Sequence, residues 1–305
     1  MSEEFPKDVF TSLPELLNME AFARGFSFQA KKQKVRSVLG GKHASKLRGR
    51  GMDFEEVRQY VAGDDIRNID WKVTARTQKT HSKVFSEEKE KPALIVVDQS
   101  KTMFFGSQKK TKAVVAAEIA SVVAFKIQKE GDRVGGLVFT ENEADVVLPK
   151  RNRKNTLHFL ERIVKHNQSL HAKQKGDREK VLADAINKVQ NIVTHDYLVI
   201  VISDFIHYSE NVIKYLSRLS QHNDVLLVKV FDPLERDLPK EKVIIGDGDK
   251  QIAVDGKKKR MQQKFQDGFD TDLNKFQTAM MKYRIPMIQL NTIEDVDVQL
   301  KTVFR

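Results

Sequence analysis

The chain has 305 residues, of which 40% are hydrophobic and 31% charged, and its formal net charge is +11. This composition is typical of a soluble globular protein with one large domain, and no stretch approaches the roughly 18 apolar residues of a membrane span. The amino-terminal "MSEEFPKDVF" predicts no signal peptide. The chain has no cysteine, which excludes disulfides and thiolate chemistry and fits a reducing compartment, so we expect a cytoplasmic protein.

The positive charge is concentrated in a stretch without acids between Glu20 and Asp53. Basic blocks favour anionic partners such as nucleic acid or an anionic surface, and a solvated arm explains them equally well. The candidate polyanion-binding residues are Lys31, Lys32, Lys34, Arg36, Lys42, Lys46, Arg48 and Arg50.

The predicted elements begin with a helix over 12–35, a glycine-rich loop at 39–51 and a stretch crowded with charges around the single tryptophan. From residue 91 onward, apolar runs alternate with helical patterns. Strands are predicted at 93–97, 132–139, 144–149, 197–203, 224–231 and 285–290, with an antiparallel pair at 242–246 and 250–254. Helices are predicted at 109–129, 155–166, 178–193, 209–221 and 259–282, and from 292 to the end.

This alternation predicts an α/β fold, a doubly wound, mainly parallel sheet with helices on both sides. We expect residues 91–305 to form this domain. Residues 1–90, with the basic arm and the charge-dense stretch, are expected to pack on it as a helical and irregular appendage. In such sheets, binding sites lie at the carboxyl ends of the strands.

Polar side chains follow two of the most apolar predicted strands. Asp98, Ser100 and Thr102 come after "LIVV", and Ser203-Asp204 end "YLVIVIS". If these strands are neighbours, their carboxylates and hydroxyls converge, and such oxygen ligands suit Mg²⁺. The alternative is that these residues cap the helices that follow.

The stretch "VRQYVAGDDIRNIDWKVTART" (57–77) combines paired charges with apolar residues. Arginine forks that pair with carboxylates would lock this loop as a clamp on the main domain, with Asp64 or Asp65 capping a short helix. A second interpretation is that the clamp also shapes a partner surface. The residues concerned are Arg58, Asp64, Asp65, Arg67, Asp70, Trp71 and Arg76.

Two patterns resemble known families. Asp98-x-Ser100-x-Thr102 with Ser203-Asp204 resembles the metal-ion-dependent adhesion site of von Willebrand factor A-like domains. The stretch "GRGMDFEEVRQYVAGDDIRNIDWKVTART" followed by "VFSEEKEKPALIVVDQSKTM" resembles the signature of the bacterial domain of unknown function 58 family, over roughly residues 12–210. The resemblance implies a von Willebrand factor A-like fold, a non-enzymatic adaptor role and a MoxR-type AAA+ ATPase as partner.

One segment departs from the family pattern. The third loop of the fold usually supplies a threonine to the metal site, whereas the corresponding segment here is "GDREKVLADAI" (176–186), which puts Lys180 or Glu179 near that position. The resemblance therefore implies a degenerate metal site of Asp98, Ser100, Thr102 and Asp204. Either the ammonium of Lys180 stands in for the cation, or Mg²⁺ binds weakly through the remaining groups.

Three functions follow from these patterns. The first is an adaptor that works with a MoxR-type AAA+ ATPase through the strand-end site. The alternative is a polyanion binder that uses the basic arm. A metal-dependent hydrolase comes last, because the sequence has no Walker A, dinucleotide-binding or HExxH motif and offers no separate general base.

Overall fold

The computed structural model describes residues 5–24, 52–87, 91–170, 178–206, 208–246 and 251–304. The chain divides into two compact units, one formed by residues 1–39 and 91–305 and the other by residues 40–90. The basic residues predicted to bind polyanions lie outside the described ranges. Within those ranges, no helix is both long enough and apolar enough to cross a membrane.

The secondary structure of the described residues is numbered in chain order. The strands are β1 (Met52–Gln59), β2 (His81–Glu87), β3 (Ala93–Asp98), β4 (Val134–Phe139), β5 (Ala144–Lys150), β6 (Leu198–Ser203), β7 (Asp224–Phe231), β8 (Lys242–Gly246), β9 (Gln251–Asp255) and β10 (Met287–Asn291). The helices are α1 (Leu13–Asn18), α2 (Glu20–Arg24), α3 (Trp71–Thr77), α4 (Lys112–Lys129), α5 (Arg153–Gln168), α6 (Arg178–Ile192), α7 (Glu210–Leu219), α8 (Lys259–Lys282) and α9 (Val296–Val303).

The larger unit is built on a six-stranded sheet of order β10-β7-β6-β3-β4-β5. All neighbouring pairs are parallel except β4 and β5, which are antiparallel at one edge. β3 and β6 lie in the middle and are fully buried, as expected for unbroken apolar runs covered on both faces. The predicted doubly wound, mainly parallel sheet is confirmed.

Helices cover both faces of the sheet, and the alternation of side chains along β3 divides the core in two. Ile95 and Val97 face a cluster that includes residues of α1, α2, α4, α5 and α9. Leu94 and Val96 face a second cluster that includes residues of α6, α7 and α8. This arrangement follows from the two-residue period of a strand, which sends successive side chains to opposite faces.

Helix α4 is buried along almost its whole length, because it lies between the sheet and the neighbouring helices α2 and α5. Its cap is Thr111, whose hydroxyl accepts a hydrogen bond from the N–H of Val114 at 3.3 Å. The capping alternative for the strand-end residues is therefore wrong for this helix. It is also wrong for α7, which begins at Glu210 after Ser209.

The predicted and observed elements of the larger unit agree within a few residues. The helix predicted over 12–35 is divided at Met19 into α1 and α2, and its remainder lies outside the described residues. The smaller unit differs more. Its residues 52–87 form an antiparallel β1–β2 hairpin with a bulge between Phe54 and Glu56, where no strand was predicted. The many charged residues of this stretch interrupt the alternation of apolar and polar residues that would indicate a strand.

Candidate functional site

β3 and β6 are adjacent and parallel, with Ala93–Val97 aligned to Leu198–Ile202. Asp98 and Ser203 therefore leave the sheet side by side at its carboxyl edge, and the hydroxyl of Ser203 donates to Oδ2 of Asp98 at 2.6 Å. The structure thus brings together the polar groups that the sequence places at two distant strand ends.

Asp98 is buried, with 3% of its surface exposed. Its Oδ1 accepts a hydrogen bond from the N–H of Ser100 at 2.9 Å, and the hydroxyls of Ser100 and Thr102 are 3.2 Å apart. Burial and the neighbouring carboxylate of Asp204 raise the pKa of Asp98 to about 7, against the opposing hydrogen bonds from Ser100 and Ser203. Close to neutral pH, this carboxyl is poised between its neutral and charged forms.

Asp204 is equally buried but is held in its charged form. Burial would raise the pKa of Asp204, yet the ammonium of Lys112 outweighs it and lowers that pKa below its ordinary value. Nζ of Lys112 donates to Oδ2 of Asp204 at 2.8 Å, and the N–H of Ile206 donates to Oδ1 at 3.2 Å. The two acids of the site therefore differ in charge state because only Asp204 contacts this lysine.

Lys112 belongs to a buried ion network that the sequence analysis missed. Its Nζ also donates to the carboxylate of Glu235, and that of Lys229 donates to the backbone carbonyl of Asp204. Burial lowers the pKa of Lys229, whereas Asp204 and Glu235 together overcome burial and raise the pKa of Lys112. A lysine in the middle of the apolar strand "DVLLVKVF" was the available signal, because a charge there must be paired inside the protein.

The acids and hydroxyls at the strand ends surround a small cavity of about 20 Å³. That volume is close to the space which one water molecule occupies. The residues lining it are Asp98, Ser100, Thr102, Glu141, Val181, Leu182, Ser203, Asp204, Phe205 and Ile206. The cavity therefore has room for one water-sized group among carboxylate and hydroxyl oxygens.

Glu141 is the acidic lining residue that the sequence analysis did not identify. It follows β4, the neighbour of β3, so it reaches the same edge of the sheet. Its Oε1 accepts a hydrogen bond from the N–H of Lys101 at 2.6 Å. Its Oε2 is buried and has no hydrogen-bond partner among the described residues. A buried carboxylate oxygen without a donor is costly, so this atom requires a ligand or a proton.

The structure describes the position of Lys180, whose ammonium was predicted to lie near Asp98 and Asp204. Lys180 is exposed near the start of α6, and the residues of α6 that line the cavity are Val181 and Leu182. The ammonium that contacts Asp204 belongs to Lys112. The stand-in role of Lys180 stays a prediction, and Lys112 is the cation that the structure places at the site.

The donor chemistry of the cavity fits Mg²⁺. Mg²⁺ prefers oxygen, takes one or two carboxylates and keeps several of its waters. Within the described ranges, no three His, Cys, Asp or Glu side chains are grouped so that they could hold a metal ion. The hydroxyl groups of the cavity, and waters on the side where it opens to solvent, would therefore complete the coordination shell.

In the smaller unit, the predicted clamp residues form local contacts. Arg58 donates to Oδ1 of Asp64 at 2.7 Å, and the N–H of Val61 donates to Oδ2 at 3.0 Å. These two contacts lower the pKa of Asp64, the backbone donor contributing more than the guanidinium. Asp64 and Arg58 thus fasten the turn after β1 to the strand itself.

The next two acids of the clamp satisfy backbone N–H groups. Asp65 accepts from the N–H of Arg67 at 2.9 Å and so begins a short 3₁₀ turn, which confirms the predicted cap. Asp70 caps α3 by accepting from the N–H groups of its second and third residues. Arg67, Trp71 and Arg76 are exposed, Trp71 by 70%. Whether this surface meets a partner stays a prediction.

Comparison with protein families identifies one match that covers most of the chain. The family described as "Protein of unknown function DUF58" matches residues 56–274. The uncharacterized protein Rv1480 of Mycobacterium tuberculosis is 31% identical over 208 residues, which are 68% of this chain and 64% of that protein. The match thus spans slightly less than two thirds of the length of that relative.

Solved structures with a similar fold include BatB, a conserved hypothetical protein from Bacteroides thetaiotaomicron. It is 16% identical with a TM-score of 0.43, over 69% of this chain and 95% of BatB. The SpRpn10 VWA domain is 12% identical with a TM-score of 0.38, over 70% of this chain and 94% of that domain. These similarities concern the fold.

Proposed function

Because the chain belongs to the DUF58 family of proteins of unknown function, we propose that it is a non-enzymatic interaction module whose strand-end cavity receives a partner protein. The observation that carries the proposal is the convergence of Asp98 and Asp204 with the hydroxyls of Ser100, Thr102 and Ser203 around one small cavity. Structural ion networks also bury carboxylates, but they do not leave a lined opening at the edge of a sheet where ligands usually bind.

Each group of the cavity has a defined role in this proposal. Asp98, Ser100, Thr102 and Asp204 are the residues that would hold Mg²⁺, which supplies a positive centre for a carboxylate of the partner. Lys112 orients Asp204 by holding one of its oxygens, so that the other faces away from the lysine. Ser203 and the N–H of Ser100 fix the two oxygens of Asp98.

The loop that carries these residues is held from behind by a chain of amide contacts. Nε2 of Gln99 donates to the carbonyl of Ala113 at 3.0 Å, and its Oε1 accepts from Nδ2 of Asn167 at 3.0 Å. Oδ1 of Asn167 accepts from the N–H of Thr11 at 2.7 Å. Because the amides of Gln99 and Asn167 are buried and bonded, the neighbouring Asp98 is held rigidly, which lowers the entropic cost of binding.

The partner we propose is a MoxR-type AAA+ ATPase. Support comes from the family resemblance of the 49–77 stretch and the strand-end pattern in the sequence. The cavity would engage one side chain of that ATPase, and the surrounding surface would supply the remaining contact area.

An affinity pull-down from the native host tests this proposal. Wild type and Thr302→Ala, a control on the exposed face of α9, should retain the same AAA+ ATPase, identified by mass spectrometry. Asp98→Asn and Thr102→Ala should lose it while keeping the circular dichroism spectrum of wild type. If both cavity variants retain the ATPase, the cavity is not the binding site. If wild type retains no AAA+ ATPase, the proposed partner is wrong.

A further inference from the structure

Two acids of the cavity face it without an ammonium of their own. The described hydrogen bonds to the carboxylate of Asp98 come from neutral donors, the N–H of Ser100 and the hydroxyl of Ser203. Oε2 of Glu141 has no hydrogen-bond partner among the residues that the structure describes. Both acids line the same cavity.

The buried ammonium groups nearby are directed elsewhere. Lys112 contacts the carboxylates of Asp204 and Glu235, and Lys229 contacts the backbone carbonyl of Asp204. The ammonium groups of the network thus contact Asp204 and Glu235. The carboxylates of Asp98 and Glu141 can still accept a contact from a cation. A low-dielectric cavity with spare carboxylate oxygens favours a cation.

We propose that Glu141 is a further binding residue of this site and that it holds a small cation together with Asp98. Glu141 thereby supplies a further carboxylate to the lining of the cavity. The inference rests on the proposed function and adds to it a further residue that binds the cation.

The size of the cavity restricts the cation. About 20 Å³ accommodates a single water-sized group, which fits a divalent metal ion or the ammonium of a lysine side chain. Both fitting groups present positive charge to the same oxygens, so experiment distinguishes the source.

The position of Glu141 is fixed by the backbone, which makes it suitable for this role. Its Oε1 accepts from the N–H of Lys101, within the loop that also carries Ser100 and Thr102. Oε2 is buried, so the carboxylate is held in place and is not free to rotate in solvent. A carboxylate that is held in place loses less entropy when it binds a cation.

Isothermal titration and thermal melting of the full chain provide the test. Mg²⁺ and Mn²⁺ chlorides form one arm, and n-butylammonium chloride, with n-butanol as the uncharged control, forms the other. The variants are Glu141→Gln and, as matched control, Glu143→Gln two residues along the same loop, where the side chain is 61% exposed. One arm should raise the melting temperature of wild type in a concentration-dependent way.

Glu141→Gln should weaken the binding of that cation roughly tenfold or more, because one charged oxygen ligand is lost, and Glu143→Gln should bind as wild type does. A response to the divalent ions identifies a metal ion, and a response to butylammonium without butanol identifies a partner lysine. The proposal is overturned if neither arm affects wild type or if Glu141→Gln binds as tightly as wild type.

The outcome is separable from that of the proposed function. Loss of the ATPase from Thr102→Ala, with no cation bound by wild type, would refute the role of Glu141 and leave the adaptor function standing. Cation binding that depends on Glu141, with the ATPase retained by every cavity variant, would support the inference and refute the cavity as the interface.

Discussion

Replacing Asp98 with asparagine should change how the stability of the protein depends on pH. Burial and the adjacent Asp204 raise the pKa of Asp98 in the folded state to about 7, compared with 3.8 for an ordinary aspartate. That difference corresponds to roughly 4 kcal/mol at 1.36 kcal/mol per pKa unit. The folded protein therefore keeps a proton on Asp98 over a pH range in which the unfolded chain has lost it.

The sign follows from this difference in proton uptake. The stability that the protonated Asp98 contributes is complete below pH 3.8 and is lost as the pH rises towards 7. Between pH 5 and pH 8.5, wild type should lose roughly 2 to 3 kcal/mol from this group. Asp98→Asn has no such proton to lose, so its stability relative to wild type should increase by that amount over the same interval.

Urea unfolding followed by circular dichroism at pH 5, 6, 7 and 8.5, in buffer with a chelator, measures the difference. Groups that titrate equally in both proteins cancel. Asp204→Asn is the contrasting control: the pKa of Asp204 is lowered by Lys112, so this variant should be less stable than wild type at neutral pH. Parallel pH profiles for wild type and Asp98→Asn would show that Asp98 is not perturbed, and the account of the two acids would fail.

Further predictions concern the ion network, the packing and the basic arm. Lys112→Met should destabilise the protein by roughly 3 to 5 kcal/mol in urea unfolding, because two buried carboxylates lose their ammonium; a change below 1 kcal/mol would contradict the network. In Gly136→Ala, the added Cβ would lie 2.0 Å from the ring of Phe159, so we expect the free energy of unfolding to fall by about 1 to 3 kcal/mol. The control is Gly268→Ala, which has open space around the added Cβ and should unfold at the same or a higher urea concentration. If the basic arm at 24–50 binds polyanions, fluorescence anisotropy should show single-stranded DNA binding that weakens steeply between 50 and 200 mM salt; binding unaffected by salt would exclude that role.

The strands and helices of the sheet domain could be predicted because the pattern of apolar residues within each segment indicates its structure. The apolar runs at β3 and β6 predict buried strands, and the amphipathic pattern of α7 predicts a helix. In each case the period of the apolar side chains along the chain shows which face is buried. The β1–β2 hairpin could not be predicted in this way, because its charged residues break the two-residue alternation that identifies a strand.

The functional site divides in the same way. Asp98, Ser100, Thr102 and Asp204 were predictable because acids and hydroxyls at the ends of apolar strands form a recognisable pattern. Lys112 was not, because its partner Asp204 is 92 residues away in sequence and because the polar run "KKTK" that it ends is typical of an exposed turn before a helix.

The sequence by itself determined the elements of the larger unit, the alternation that makes it an α/β fold, and the acids that end its central strands. The tertiary structure decided which of those acids is paired with an ammonium and stays charged, and which has a raised pKa. The order of the strands sets Asp98 beside Ser203, the packing of α4 brings Lys112 to Asp204, and the turn after β4 brings Glu141 to the cavity. The physical reason is that electrostatic energy depends on the distance between charges and on their burial. The spacing of residues along the chain determines neither quantity.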